Sequence, residues 1–173
     1  MSNYDAIRRY GESYPDDTLK FFKAGWDRET NALFPNVFEL PFLCQHEIGQ
    51  HGGKFICDGH FTLDPEKEIF CGDTVILDFA IPVAFYMGFT NFILLGVDCD
   101  YSKGYFSGKY QSFPPNTLKG MINGDYSIAI PSYRYTKDFL QARGRRIHMV
   151  NPSEKLKFIE TCTLDDALGV KVE

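Results

Sequence analysis

The amino-acid sequence predicts an α/β fold in which a mostly parallel sheet is covered by helices. Three observations carry this expectation. Residues 91–97 form a near-continuous apolar run, the pattern of a strand covered on both faces. Residues 146–150 read as a second buried strand. Each run follows a stretch of helical patterning closed by a glycine, residues 74–87 before Gly88 and residues 131–143 before Gly144, and helix–strand alternation of this kind favours parallel pairing.

Taken in order, Asp16 or Asp17 is expected to cap a helix to about Thr30, with Leu19, Phe22, Trp26 and Leu33 recurring at helical spacing. Residues 36–43 fit a short strand in which Pro41 marks an edge or an end. Residues 46–53 read as a loop, and residues 55–57 as a short strand that turns Cys57 toward the core, with His60 in the next turn. Val75, Leu77, Phe79, Ala80, Val83, Ala84 and Met87 surround much of a helical wheel, as in a helix packed on a sheet. Pro82 lacks the N–H that a mid-helix position supplies, so a kink or break is expected there. Residues 100–126, rich in Gly, Tyr, Ser and Pro, are long for a structureless loop and are expected to form an active-site loop or lid.

With 173 residues and no repeat or linker, the chain is expected to form a single α/β domain over residues 1–173. Its formal charge of -5 argues against nucleic acid, whose phosphates an acidic surface repels. Residues 1–10 lack an apolar signal core, and no run of about 18 apolar residues could span a bilayer, so a cytoplasmic protein is expected. Five cysteines, an odd set without a CxxC, fit reduced thiols.

Ligands of open parallel sheets gather beyond the carboxyl ends of the strands, where loops diverge. Asp98, Asp100 and Tyr101 follow the strand at 91–97 and are expected there. Ahead of the helix at 74–87, Ile69-Phe70-Cys71-Gly72-Asp73-Thr74 offers small residues and backbone N–H groups that suit a phosphate or carboxylate. The charge of Asp73 opposes an anion, and the alternative for Asp73 is a helix N-cap. Asp98-Cys99-Asp100 is also a DxD, two carboxylates suited to Mg²⁺ or Mn²⁺ on a nucleotide-sugar diphosphate.

Cys71-Gly72-Asp73-Thr74-Val75, Ala84-Phe85-Tyr86-Met87-Gly88-Phe89 and Leu94-Leu95-Gly96-Val97-Asp98 resemble the core motif of the MptE-like proteins, a family long called a domain of unknown function and similar in turn to bacterial lipooligosaccharide sialyltransferases. The likeness runs through Gly144-Arg145-Arg146-Ile147-His148 and Asn151-Pro152-Ser153-Glu154-Lys155-Leu156, covering about residues 68–168. It implies a Rossmann-like three-layer sandwich, a CMP-sugar donor and no required metal. Tyr101 matches an aromatic position that helps the phosphate leave, Gly72 and Thr74 would approach the nucleotide, and Asp98 would organise the strand-end turn. The implied function is a glycosyltransferase-like protein, with catalytic Asp98 and Tyr101 and nucleotide-binding Gly72, Asp73, Thr74 and Asp100. Its implied partners are a nucleotide or nucleotide-activated sugar and a glycan acceptor, in a chain free to oligomerise. Archaeal members of the wider family are pterin diphosphokinases, which would imply ATP and Mg²⁺.

The sialyltransferases that the chain resembles carry a His in the loop before the penultimate helix, whereas residues 126–135 contain none, and the family's opening Gly-rich nucleotide loop, with an N-terminal βα unit, has no counterpart here. Both differences support a second class, a catalytically silent binding or assembly module of the same fold. Three further features draw attention. Cys44, His46, His51, Cys57 and His60 offer zinc ligands at a spacing no standard module uses. Tyr101, Tyr105, Phe106, Tyr110 and Phe113 could stack on a sugar or base. Arg143, Arg145 and Arg146 are placed to satisfy the carbonyl end of a helix.

Overall fold

The computed structural model describes residues 13–23, 34–43, 55–70, 74–97, 99, 126–152 and 154–169. In chain order these form β1 (Lys20–Lys23), β2 (Val37–Leu40), β3 (Phe42–Leu43) and β4 (Ile69–Phe70). A π-helical stretch (Ile76–Ala80) then runs into α1 (Ile81–Tyr86), followed by β5 (Asn91–Leu95), α2 (Tyr126–Gln141), β6 (Arg146–Val150), β7 (Glu160–Thr161) and α3 (Leu164–Leu168). Short 3-10 turns lie at Ile56–Asp58 and Glu154–Leu156. The pairings of β1 with β2, β3 with β4, β5 with β6 and β6 with β7 are all parallel, in sheets of two, two and three strands. The chain is therefore mixed α/β with parallel strands, as its patterning predicts.

The main core lies on one face of β5 and β6. Asn91 stands opposite Arg146 and Leu95 opposite Val150, which puts Phe92 beside Ile147 and Leu94 beside Met149 on the buried side. Leu77, Ile81, Ala129, Tyr133 and Leu140 from the helical segments close over them in one cluster. The buried stripe of α2 is Ala129, Ser132, Tyr133, Thr136 and Leu140, at steps of three and four residues. Full burial of a side chain such as Met149 or Leu140 contributes about 1.5–3 kcal/mol, so this face dominates the fold.

The other face of β5 is open. Asn91, Ile93 and Leu95 are exposed, the last two at 38% and 58%, so the expectation of a strand covered on both faces is corrected. A continuous apolar run fixes the strand but not the cover over each side, and the strand's two-residue period assigns only alternate residues to the core.

The helix expected from Asp16 is also corrected over residues 16–23, while its remainder, with Trp26 and Leu33, lies outside the described residues. Thr18 N–H donates to the Pro15 carbonyl at 3.0 Å, making Asp16 and Asp17 the middle of a tight turn, and residues 20–23 form β1. Phe21 stacks on Phe38 at 5.5 Å and meets Phe79 edge-on at 6.4 Å, a cross-strand aromatic packing that outweighs the local helical spacing. Pro41 divides residues 36–43 into β2 and β3, and its carbonyl accepts from Ile69 N–H at 2.8 Å. Leu40, Ile69 and Val83 form a second small cluster that joins β2, β4 and α1. Residues 56–58 are a 3-10 turn, not the expected strand; it buries Ile56, while Cys57 is half-buried and its N–H donates to Ser132 Oγ at 3.2 Å.

Pro82 is accommodated without breaking the helix. The turn before it widens to π geometry, in which Ile81 N–H reaches the Ile76 carbonyl, and Pro82 takes a first-turn position of α1, where no N–H is required. Gly88, at φ +91°, ends α1 with bonds from Gly88 N–H to Phe85 O and from Phe89 N–H to Ala84 O. Gly144, at φ +68°, ends α2 in the same way, with Gly144 N–H on Gln141 O and Arg145 N–H on Leu140 O. The second helix begins earlier than expected, at Tyr126, and carries Pro131 on its exposed side.

Candidate functional site

The carboxyl ends of β5 and β6 lie side by side, and both strands leave the sheet through backbone that L-residues avoid. After β5, Gly96 has φ +67° and Cys99 φ +51°; after β6, Asn151 has φ +55°. A left-handed non-glycine residue costs roughly 1–2 kcal/mol and persists where its surroundings hold it. Asn151 also precedes Pro152, a position steered toward extended backbone. The two exits are tied together: Lys155, in the 3-10 turn beyond β6, donates from Nζ to the Cys99 carbonyl at 3.0 Å. The Cys99 side chain and Leu156 are both buried in the main core.

Of the residues singled out in the sequence, Thr74 is described. Its Oγ1 accepts from Leu77 N–H at 3.3 Å and its carbonyl accepts from Asp78 N–H at 2.7 Å, so Thr74 acts as the N-cap of the helix. Gly72, Asp73, Asp98, Asp100 and Tyr101 lie outside the described residues, as does the loop at 101–125. Within the zinc constellation Cys57 and His60 are described and Cys44, His46 and His51 are not; no cluster of metal-ligating side chains occurs among the described residues. His60 packs edge-on against Phe70 at 5.4 Å.

The three arginines near the end of α2 act on separate targets. Arg143 donates to the Phe139 carbonyl at 3.2 Å and lies 3.6 Å above the Phe139 ring, on its own helix. Arg145 reaches α1 instead: Nη1 donates to Phe85 O at 3.1 Å and also to Phe89 O, with the guanidinium 4.1 Å above the Phe85 ring. Arg146 donates from Nε to Asn91 Oδ1 at 3.1 Å, between the starts of β6 and β5.

Two features escaped sequence reasoning. Asp78 is a buried carboxyl, 8% exposed, inside the π-helical stretch. Its signal was an acid embedded in the apolar run Leu77-Asp78-Phe79. The second is a cleft of about 570 Å³ on the open face of β5–β6–β7, bordered by Asn91, Arg146, His148, Glu160 and Cys162 and by the end of α3. There, His148 Nδ1 is buried without a hydrogen bond, 3.8 Å from the Glu160 carboxylate across the β6–β7 pair. The cleft lies over the sheet face rather than at its carboxyl edge.

Among the described residues, no helix is long and apolar enough to cross a membrane. Comparison of the chain with protein-family models, curated proteins and solved structures finds no match in any of the three.

Proposed function

We propose that the chain is a glycosyltransferase-like protein of Rossmann-like three-layer architecture that binds a nucleotide-activated donor at the carboxyl edge of β5 and β6. The observation that carries this reading is left-handed backbone at Cys99 and Asn151, which follow the carboxyl ends of the neighbouring parallel strands β5 and β6. Strained backbone gathers at ligand sites, and the carboxyl edge is where open parallel sheets hold nucleotides. In sequence, Asp98 and Asp100 flank Cys99 and Tyr101 follows directly. In the proposed roles Asp98 organises the strand-end turn, Asp100 meets the nucleotide and Tyr101 helps the phosphate depart, while Gly72, Asp73 and Thr74 approach the donor from the helix start.

A second reading, the catalytically silent binding or assembly module, draws support from Thr74, whose hydroxyl accepts a backbone hydrogen bond in the helix cap. Calorimetry with CMP, UDP, GDP and ATP, each with and without Mg²⁺, separates the two. Micromolar binding of one nucleotide, lost in Asp98→Ala without unfolding, is the expected result for the donor-binding protein. Silence across the panel favours the module. Binding that requires Mg²⁺ or Mn²⁺ assigns the metal-dependent DxD chemistry or a diphosphokinase instead.

A further inference from the structure

We propose that the cleft on the open face of β5–β6–β7 is a binding site for a short zwitterion of dipeptide length. None of the described residues that border it is assigned to the nucleotide above, so each site is tested separately.

Strand periodicity builds the site. On β6, Ile147 and Met149 point into the core, so Arg146 and His148 project from the opposite face. Asn91 stands beside Arg146, Ile93 beside His148, and Glu160 beside His148 on the other flank. Arg146 therefore lies two residues along β6 from the row that holds Glu160, a diagonal of roughly 8 Å between Cα atoms from strand rise and spacing. The cleft between them encloses about 570 Å³, within the range of small-molecule sites.

The two opposite charges do not cancel within the protein. Arg146 spends Nε on Asn91 Oδ1 at 3.1 Å, and its two Nη groups bond to none of the described residues. Glu160 approaches His148 Nδ1 at 3.8 Å, too far for a hydrogen bond, and Nδ1 is buried without a partner. A guanidinium fork matches a carboxylate, and a carboxylate with free lone pairs accepts from an ammonium. The other acid at the rim, Asp166, is committed to the α3 cap, where Oδ2 accepts from the Thr163 N–H at 3.3 Å and the Thr163 hydroxyl at 2.6 Å. One cation against two carboxylates repels a polyphosphate, whereas a ligand with one charge of each sign satisfies both ends. An extended dipeptide spans at most about 7 Å, which fits the diagonal; the charges of a free amino acid sit on a single carbon and do not. Ile93 and Leu168, 38% and 66% exposed, supply apolar surface for the ligand's side chain.

The test is calorimetry on the full chain with four probes: alanyl-leucine, its N-acetyl derivative, its C-terminal amide, and free leucine. Carbon resonances of the His148 ring give a second readout. Alanyl-leucine is expected to bind and to move the His148 resonances. Blocking either charge of the probe, or changing Arg146→Gln or Glu160→Gln in the protein, should weaken binding about tenfold or more, as the loss of one hydrogen bond to a charged group does. The pairing is read by crossing the two sets: Arg146→Gln should no longer tell the amide from the free acid, and Glu160→Gln should no longer tell the N-acetyl probe from the free amine. Both side chains are exposed, so the melting temperature of each variant should stay near that of the wild type. Absence of alanyl-leucine binding at millimolar concentration overturns the site, as does equal affinity for either blocked probe, tighter binding of free leucine, or wild-type affinity in either variant. Displacement of alanyl-leucine by CMP, UDP, GDP or ATP overturns the charge argument that separates this cleft from a phosphate site.

Discussion

Arg145 offers the most direct test of how the helical layer is fastened to the sheet. Its guanidinium donates to Phe85 O at 3.1 Å and to Phe89 O, carbonyls on either side of the Gly88 turn that delivers the chain into β5. It also stacks 4.1 Å over the Phe85 ring, whose edge meets Phe61 at 5.6 Å within the core. In Arg145→Met both charged donors disappear while most of the stem remains. Hydrogen bonds from a charged donor contribute about 1.5–3 kcal/mol each when buried. Arg145 is only partly buried, the Phe85 carbonyl keeps its bond from Gly88 N–H, and exposed Phe89 can turn its carbonyl to water. Halving the pair for that compensation and adding about 0.5–1 kcal/mol for the ring contact gives a loss of about 2–4 kcal/mol. At roughly 2–4 °C per kcal/mol for a chain of this size, the melting temperature should fall by about 4–16 °C. Urea titration reads the same loss as a lower midpoint at unchanged slope. Arg143→Met is the internal control, since its contacts join residues only four apart in α2 and stabilise that helix end alone. A loss below about 0.5 kcal/mol for Arg145→Met, the level of an ordinary surface substitution, would refute the reasoning.

The remaining predictions concern helix ends. Gly144→Ala should cost about 1 kcal/mol in urea titration, because φ is +68° and an added Cβ meets nothing within 4 Å, so the whole penalty is conformational. Thr74→Val removes the hydroxyl that accepts Leu77 N–H and should cost about 1 kcal/mol, whereas Thr74→Ser retains the cap and the stability. Asp166 is held below its ordinary value of 3.8, first by the Thr163 hydroxyl and then by the Thr163 backbone N–H, against a small opposing effect of desolvation. A lowered carboxyl value stabilises α3 above the ordinary value and withdraws that support as pH falls through the lowered one, so the Asp166 amide should lose exchange protection below about pH 4. Asp166→Asn should abolish that dependence, and an unchanged pH profile in the variant would count against the capping box.

How much of the fold could be read from the chain depends on whether a signal was local. The two glycine-closed helix ends were legible because a left-handed residue after an apolar periodic stretch has few other uses, and Gly88 and Gly144 behave accordingly. Strands β5 and β6 were legible for similar reasons, as apolar runs placed directly after those stops. The region around Asp16 was misread because Leu19 and Phe22 also fit a strand, and what decides the matter is the contact of Phe21 with Phe38 and Phe79, residues far away in sequence. Even Pro82 was half-legible: its missing donor announced a disturbance, but only the geometry shows that a π turn absorbs it upstream.

The site is harder to read than the fold for a reason that Cys99 makes concrete. An acid on each side of one residue after a strand is visible in any sequence; the handedness of the residue between them is not, because cysteine has no preference for positive φ that would announce it. Asn151 is a mixed case, since asparagine favours the left-handed region while the following Pro152 opposes it, and the tertiary structure resolves the conflict in favour of the left-handed form. Local rules that contradict one another, or are overridden, tend to do so where structure is held for a purpose other than stability. Of the three left-handed non-glycine residues among those described, Cys99 and Asn151 follow adjacent strands, β5 and β6, with Lys155 beyond β6 bonded to the Cys99 carbonyl, while the third, Asn36, directly precedes β2. The same logic weighs against the open-face cleft as the primary site: Thr163 and Asp166 at its α3 side satisfy one another in an ordinary helix cap, and none of the described residues that border it is a left-handed non-glycine residue.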